Sequence, residues 1–263
     1  MAEIITVKTD RFEMDVSVFG HGAKNFIMLP GVSIKPVSLS AEAVAEAYRL
    51  FWDDFTVYLF DRKKDFGETY SVEDMARDSA EAMERLGLHD CYLFGASQGG
   101  MIALEMALRY PWLANRVFLA SSACRCPPEG TKLLLHWAEL AEKGDCVAVN
   151  RSMFSVLYSA AYLEKYKDII AVLEQQGSPE ELHRLAVLCR ACVEYDCYDE
   201  LTKIKCPVMA VGAEHDSVFP GNVSAREIAD RLGCGLYIYP DYRHAVYDEA
   251  PDYREKIMDF FMM

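Results

Sequence analysis

The segment Cys91-Tyr92-Leu93-Phe94-Gly95-Ala96-Ser97-Gln98-Gly99-Gly100 constrains this chain more than any other. A short apolar run suited to a buried strand passes directly into Gly-x-Ser-x-Gly and then into a helical pattern that reaches Tyr110 and stops at Pro111. A serine held between strand and helix in this way must sit on a sharp turn in a strained backbone conformation, with its Oγ projecting above the sheet. Gly95 and Gly99 are small because larger side chains would collide with the neighbours of that turn. Gln98 places a backbone N–H at the helix start, where it can point at an anion. Without the flanking strand and helix, the five residues would be an ordinary glycine-rich turn. With them, the segment reads as a nucleophile elbow carrying Ser97.

The rest of the chain supplies a sheet to hold the elbow. Apolar runs at Glu3–Val7, Glu13–Val18, Asn25–Leu29, Phe55–Phe60, Cys91–Phe94, Arg116–Ala120, Pro207–Val211 and Gly235–Tyr239 predict strands. Helical spacing predicts helices over Ser40–Trp52 with Ser40 as cap, from Ser71 to Gly87, over Ser224–Leu232 and over Tyr247–Phe261. This alternation implies an α/β fold, with a mostly parallel central sheet and helices on both faces. One stretch breaks it. From about Cys124 to Leu201 the patterns are helical, with a strong helix start at Ser178-Pro179-Glu180-Glu181. The expected organisation is therefore a core from 1–123 and 202–263, with a helical cap inserted at 124–201 over the sheet's C-terminal edge.

Composition narrows the function classes. Lys and Arg total 27 against 41 Asp and Glu, giving a formal charge of −14. Such an acidic surface repels phosphate backbones and anionic headgroups, so no nucleic-acid partner is expected. The first residues lack a basic stretch leading into a long apolar run, and no apolar stretch approaches the ~18 residues needed to span a bilayer. A cytoplasmic protein with no membrane partner is expected, and the reading leaves room for a homodimer. The nine cysteines read as reduced, mostly buried thiols. Cys189, Cys192 and Cys197 lack the second ligand pair that zinc would need, so no metal is assigned.

A serine hydroxyl needs a base. Of six histidines, His244 lies just beyond the last strand in Asp241-Tyr242-Arg243-His244-Ala245, on a loop that opens at the same sheet edge as Ser97. His215 is the rival, but it adjoins Asp216 and reads as a neighbour of the acid. Asp216, at the end of the strand before, is placed to orient the imidazole, with Glu214 as its rival. The order Ser97, Asp216, His244 is the one that accompanies this elbow. A second oxyanion donor is expected from the loop Met28–Ser33, where Gly31 permits a tight path and Val32 offers its N–H beside that of Gln98.

These residues together resemble the α/β-hydrolase superfamily over nearly the whole chain, most of all its small, lidded bacterial esterase and aminopeptidase-like members. The resemblance includes Asp61-Arg62-Lys63-Lys64-Asp65-Phe66-Gly67, a stretched form of the family's Asp-Arg-x-Gly-x-Gly-like turn. Two positions depart from the family: Pro30 stands where His commonly precedes Gly31, and Arg243 where Gly commonly precedes His244. The resemblance implies a cofactor-independent serine hydrolase that cleaves a small carboxylic ester through an acyl-enzyme. Thioesters, amides, aminopeptidase substrates or carbon–carbon bonds are alternatives on the same triad, and a non-catalytic small-molecule receptor is an alternative of another class. Trp137, Met153, Phe154, Leu157 and Tyr158 of the cap are candidates to line an apolar acyl pocket for the small-molecule substrate, although each could equally pack the cap helices.

Overall fold

A computed structural model of the chain describes residues 2–65 and 67–263. Phe66, in the turn quoted above, lies outside the described residues, as does Met1. All eight expected strands form: β1 (Glu3–Lys8), β2 (Glu13–Gly20), β3 (Lys24–Leu29), β4 (Phe55–Lys63), β5 (Cys91–Ala96), β6 (Ala114–Ala120), β7 (Val208–Ala213) and β8 (Gly235–Tyr239). They make one sheet in the order β1-β2-β4-β3-β5-β6-β7-β8. β2 pairs antiparallel with β1 and β4, and the pairings from β4 through to β8 are parallel. The C-terminal ends of β3, β5, β7 and β8 therefore open at one edge, where the loops carrying the candidate residues emerge.

Strand periodicity divides the core in two. Phe26, Met28, Phe94, Ala96, Phe118 and Ala120 point to one face, while Ile27, Leu29, Leu93, Val117 and Leu119 point to the other. The first face is covered by α1 (Ala41–Ala47), α10 (Val246–Glu249) and α11 (Tyr253–Met262), around an aromatic cluster in which the Phe26 ring lies 5.0 Å from Phe51 and 5.1 Å from Phe261. The opposite face is covered by α2 (Val72–Arg85), α3 (Gln98–Arg109) and α9 (Ser224–Leu232). Ser71 caps α2 by accepting the Asp74 N–H, and Gly87 follows the helix at φ 70°.

Between β6 and β7 stand α4 (Pro128–Glu142), α5 (Cys146–Leu157), α6 (Ala160–Lys165), α7 (Lys167–Leu173) and α8 (Pro179–Glu194). α8 opens with a full capping box: the Ser178 hydroxyl accepts the Glu181 N–H and the Glu181 carboxylate accepts the Ser178 N–H. Leu134, Trp137 and Ala138 of α4 and Leu185 and Cys189 of α8 join the same apolar cluster as α3.

Two expected helices are broken. The Ser40–Trp52 pattern resolves into a 3-10 turn (Val37–Ser40), α1, and a second 3-10 turn (Arg49–Phe51), and the Ser40 side chain makes no cap. Tightening at the end places Tyr48 and Phe51, three residues apart, on one face with rings stacked at 5.6 Å. The pattern over Tyr247–Phe261 divides into α10 and α11 because Pro251 forces Ala250 into extended backbone, with ψ 124°.

Candidate active site

Ser97 occupies the junction of β5 and α3 with φ 54° and ψ −121°, a region an L-residue rarely adopts. Its peptide is pinned on both sides. The N–H donates to Ala120 O at 2.8 Å, and the carbonyl accepts from the Gly100 N–H at 2.9 Å and the Ser122 hydroxyl at 2.7 Å. Serine in a helix N-cap position ordinarily caps, but the Ser97 hydroxyl makes no capping bond. The glycines are small for the reason expected. A Cβ on Gly95 would come within 2.4 Å of Gly99 O, and one on Gly99 within 1.9 Å of Leu29 O.

Asp216 and His244 are brought together by the loops that follow β7 and β8. His244 Nδ1 lies 2.7 Å from Asp216 Oδ2, and Asp216 Oδ1 accepts the N–H groups of Val218 at 2.7 Å and Phe219 at 2.9 Å. Both side chains are buried, and the Phe219 ring packs against the imidazole at 5.7 Å. A neutral imidazole in this setting keeps its proton on Nδ1, facing the carboxylate, and leaves Nε2 as the basic nitrogen. Of the six histidines His244 alone is buried, and the rivals His215 and Glu214 are exposed. Among the described residues no direct hydrogen bond joins Ser97 to His244.

A cavity of about 420 Å³ opens beside Ser97. The loop after β3 forms part of its wall: a Cβ on Gly31 would lie 3.0 Å from Ser97 Cβ, and Val32 faces the cavity. Among the described residues the Val32 N–H has no protein acceptor. Met153, Phe154, Leu157 and Tyr158 also line the cavity. Trp137 does not, which corrects its expected place. It is buried between α4 and α5, and its indole N–H donates to Ser152 Oγ at 3.0 Å. An apolar stripe on a helix of the insertion looks the same in sequence whether it faces a cavity or a neighbouring helix.

Three residues that sequence reasoning did not single out complete the surroundings. The first is Arg62, buried at the end of β4, which donates to Pro30 O at 2.7 Å and to Gln98 Oε1 at 3.1 Å. Gln98 in turn donates to Leu188 O at 2.7 Å, so one chain of bonds ties β4, the loop after β3, the elbow helix and α8 together. Burial is the largest influence on the Arg62 guanidinium and lowers its hold on its proton, with Tyr70 and Asp61 opposing. Arg62 stood within the family-like turn, which was its only signal. The second, Ser122, has none in the sequence. The third, Asp248, lines the cavity and accepts the Tyr158 hydroxyl at 2.9 Å.

The departure at Arg243 has a structural use. Its guanidinium donates to Ser155 O at 2.6 Å, and the Ala245 N–H donates to Leu157 O at 2.9 Å, so the end of α5 grips the loop on both sides of His244. Cys189, Cys192 and Cys197 are buried. Cys192 lies 3.2 Å from Gln98 Nε2, and burial pushes its thiol up to about 12. Among the described residues no group of three or more His, Cys, Asp or Glu is placed to hold a metal ion. No helix there is long and apolar enough to cross a membrane.

Comparison with known proteins bears on the fold that carries this site. Residues 33–144 match a family model described as alpha/beta hydrolase fold. RutD of Rhizobium rhizogenes, named as a proposed carbamate hydrolase, is 28% identical over 221 residues, covering 79% of this chain and 82% of that protein. The protein of the same name from Agrobacterium fabrum is 29% identical over 73% of this chain and 74% of its own. Among solved structures, the enol-lactonase from Burkholderia xenovorans LB400 superposes with a TM-score of 0.86 at 19% identity, covering 98% of this chain and 100% of that one. MGS-M2, an alpha/beta hydrolase from a Medee basin deep-sea metagenome library, gives 0.87 at 20% identity and 98% of each chain. With the sheet order, the serine elbow and these likenesses in agreement, the chain has the α/β-hydrolase fold.

Proposed function

We propose that this chain is a serine hydrolase acting on a small carboxylic ester, with Ser97, His244 and Asp216 as its catalytic triad. The observation that carries the reading is the pairing of a strained, non-capping serine with a buried imidazole already oriented by a carboxylate. His244 Nε2 takes the Ser97 proton as Oγ attacks the ester carbonyl, and Asp216 stabilises the imidazolium that forms. The developing oxyanion is received by the N–H groups of Val32 and Gln98. His244 then protonates the leaving alcohol, and water attacks the acyl-enzyme by the same route in reverse.

The helices at 124–201 act as a cap in this reading, with Met153, Phe154, Leu157 and Tyr158 enclosing the acyl group. The RutD relatives favour a carbamate as a second reading, because the same attack on its carbonyl would carbamoylate Ser97.

The test is fluorophosphonate labelling of wild type beside Ser97→Ala, followed by turnover of p-nitrophenyl esters of rising chain length and a p-nitrophenyl carbamate. Labelling should disappear in the variant, and ester turnover should fall by roughly 10³-fold or more. A folded wild type that neither labels nor turns over any of these compounds would overturn the reading in favour of a small-molecule receptor.

A further inference from the structure

The cavity beside Ser97 is mostly apolar, and the charge state of its wall is unusual. Two ionisable groups of clear interest line it, Lys35 and Asp248. Lys35 is already neutralised, its ammonium 2.7 Å from Glu181 Oε2. The amide nitrogen of Asn150, also in the wall, is occupied by the carbonyls of Cys146 at 3.0 Å and Gln176 at 3.2 Å. Asp248 has no such partner. Its Oδ2 accepts the Tyr158 hydroxyl, and among the described residues neither of its oxygens meets a cation within ion-pair distance. Arg254, the neighbouring cation, instead places its guanidinium 5.2 Å above the Tyr48 ring.

Asp248 is exposed at the cavity wall and carries no cationic partner among the described residues, so its carboxylate is open to a cationic group on a ligand. We propose that Asp248 is a specificity-determining residue that binds a protonated amine on the substrate, so that the preferred esters carry a primary ammonium on their acyl chain. This rests on the ester-hydrolase reading and names its substrate class.

Three observations support a cation over a neutral donor. The Tyr158 hydroxyl already supplies Asp248 with a neutral hydrogen bond. The net charge of −14 draws cations toward the molecule. The surroundings also act on the carboxyl: although it is exposed at the cavity, desolvation by the groups packed around it pushes it up to about 6, Glu249 pushes in the same direction, and Tyr158 and Arg254 oppose. The other titratable groups in its field are Tyr162 of α6, Tyr247 of α10, Tyr253 of α11, and Tyr48. Burial raises all four tyrosines, so they stay neutral while Asp248 titrates.

The experiment measures kcat/KM for methyl esters of ω-amino acids, from glycine to 6-aminohexanoate, each beside its unsubstituted counterpart. At pH 8 the best-fitting length should favour the amine by roughly tenfold to a hundredfold, the range for a charge-assisted hydrogen bond. Asp248→Asn should bring that ratio below about threefold, and lowering the pH of wild type through 6 should shrink it as the carboxyl takes its proton. A parallel calorimetric titration with hexylammonium reads the same contact without catalysis, and Tyr158→Phe should retain binding because the carboxylate remains. Neutral esters turned over with no amine preference at any length would overturn the proposal and leave the hydrolase reading standing. Hexylammonium binding that depends on Asp248, with no ester turned over, would support the cation site and sink the hydrolase reading. No turnover and no Asp248-dependent binding would overturn both.

Discussion

Ser97 holds a backbone conformation that costs about 1–3 kcal/mol and, among the described residues, its hydroxyl makes no capping bond, so its surroundings must over-determine it. Arg62 is the residue whose removal tests how. It is a buried guanidinium bonded to two neutral oxygens, Pro30 O in the loop that carries Val32 and Oε1 of Gln98 itself, the two residues whose N–H groups are proposed to receive the oxyanion. Arg62→Met keeps most of the side-chain volume and leaves both oxygens without their donor. Unfolding by urea should show a loss of ~1–3 kcal/mol for each buried oxygen left unpaired. Ester hydrolysis should lose about tenfold or more in kcat with a much smaller change in KM, since donors displaced from the transition-state oxygen need not change ground-state binding. A rise in KM alone would place Arg62 in the pocket wall instead. Arg62→Lys should resemble Met more than wild type, because an ammonium cannot reproduce the planar fork.

At the scale of elements, the elbow works because α3 starts against the end of β3 with no room for a side chain between them. Gly99→Ala would drive a methyl to 1.9 Å from Leu29 O, a backbone atom that cannot swing aside. A loss of about 3 kcal/mol or more is expected, at the upper end of overpacking, against less than about 1 kcal/mol for Gly87→Asn, whose φ of 70° suits asparagine and whose surroundings are open. Thermal melts of the two variants beside wild type check this, and equal losses would remove the steric account. The same contrast explains what was legible in the sequence. The strands, the elbow and the order of Ser97, Asp216 and His244 could be read because each depends on local periodicity or on position after a strand. Tyr48 stacking on Phe51, the split at Pro251 and the inward turn of Trp137 depend on what each residue meets across the fold. Pro251 was the one local signal passed over. Arg62 and Asp248 are harder still, since a charged residue at a strand end or in a short helix ordinarily reads as a solvated face.

For the molecule as a whole, the question is whether the helices between β6 and β7 form a separate body. Leu134, Trp137, Leu185 and Cys189 share one apolar cluster with Met101 and Leu104 of α3, so α4 and α8 cannot separate without exposing core surface. Unfolding should therefore be a single transition. Trp137 offers the probe, being buried in the insertion while Trp112 is exposed on the core. The urea midpoint from fluorescence that disappears in Trp137→Phe should coincide with the midpoint from far-ultraviolet circular dichroism. α6 and α7 are a different case. Neither helix has a buried residue, and Ile169 and Val172 stand exposed at 59% and 60%. Few apolar contacts and solvent-facing backbone bonds put this pair at the low end of local stability. Amides of Ala160–Leu173 should exchange orders of magnitude faster than those of α3 in native buffer. Because Leu173 at the end of α7 lines the cavity, opening of this pair would change the cavity's wall. Coincident midpoints with fast exchange confined to α6 and α7 would describe one cooperative body with a loose flap. Separate midpoints would make the whole insertion an independent domain.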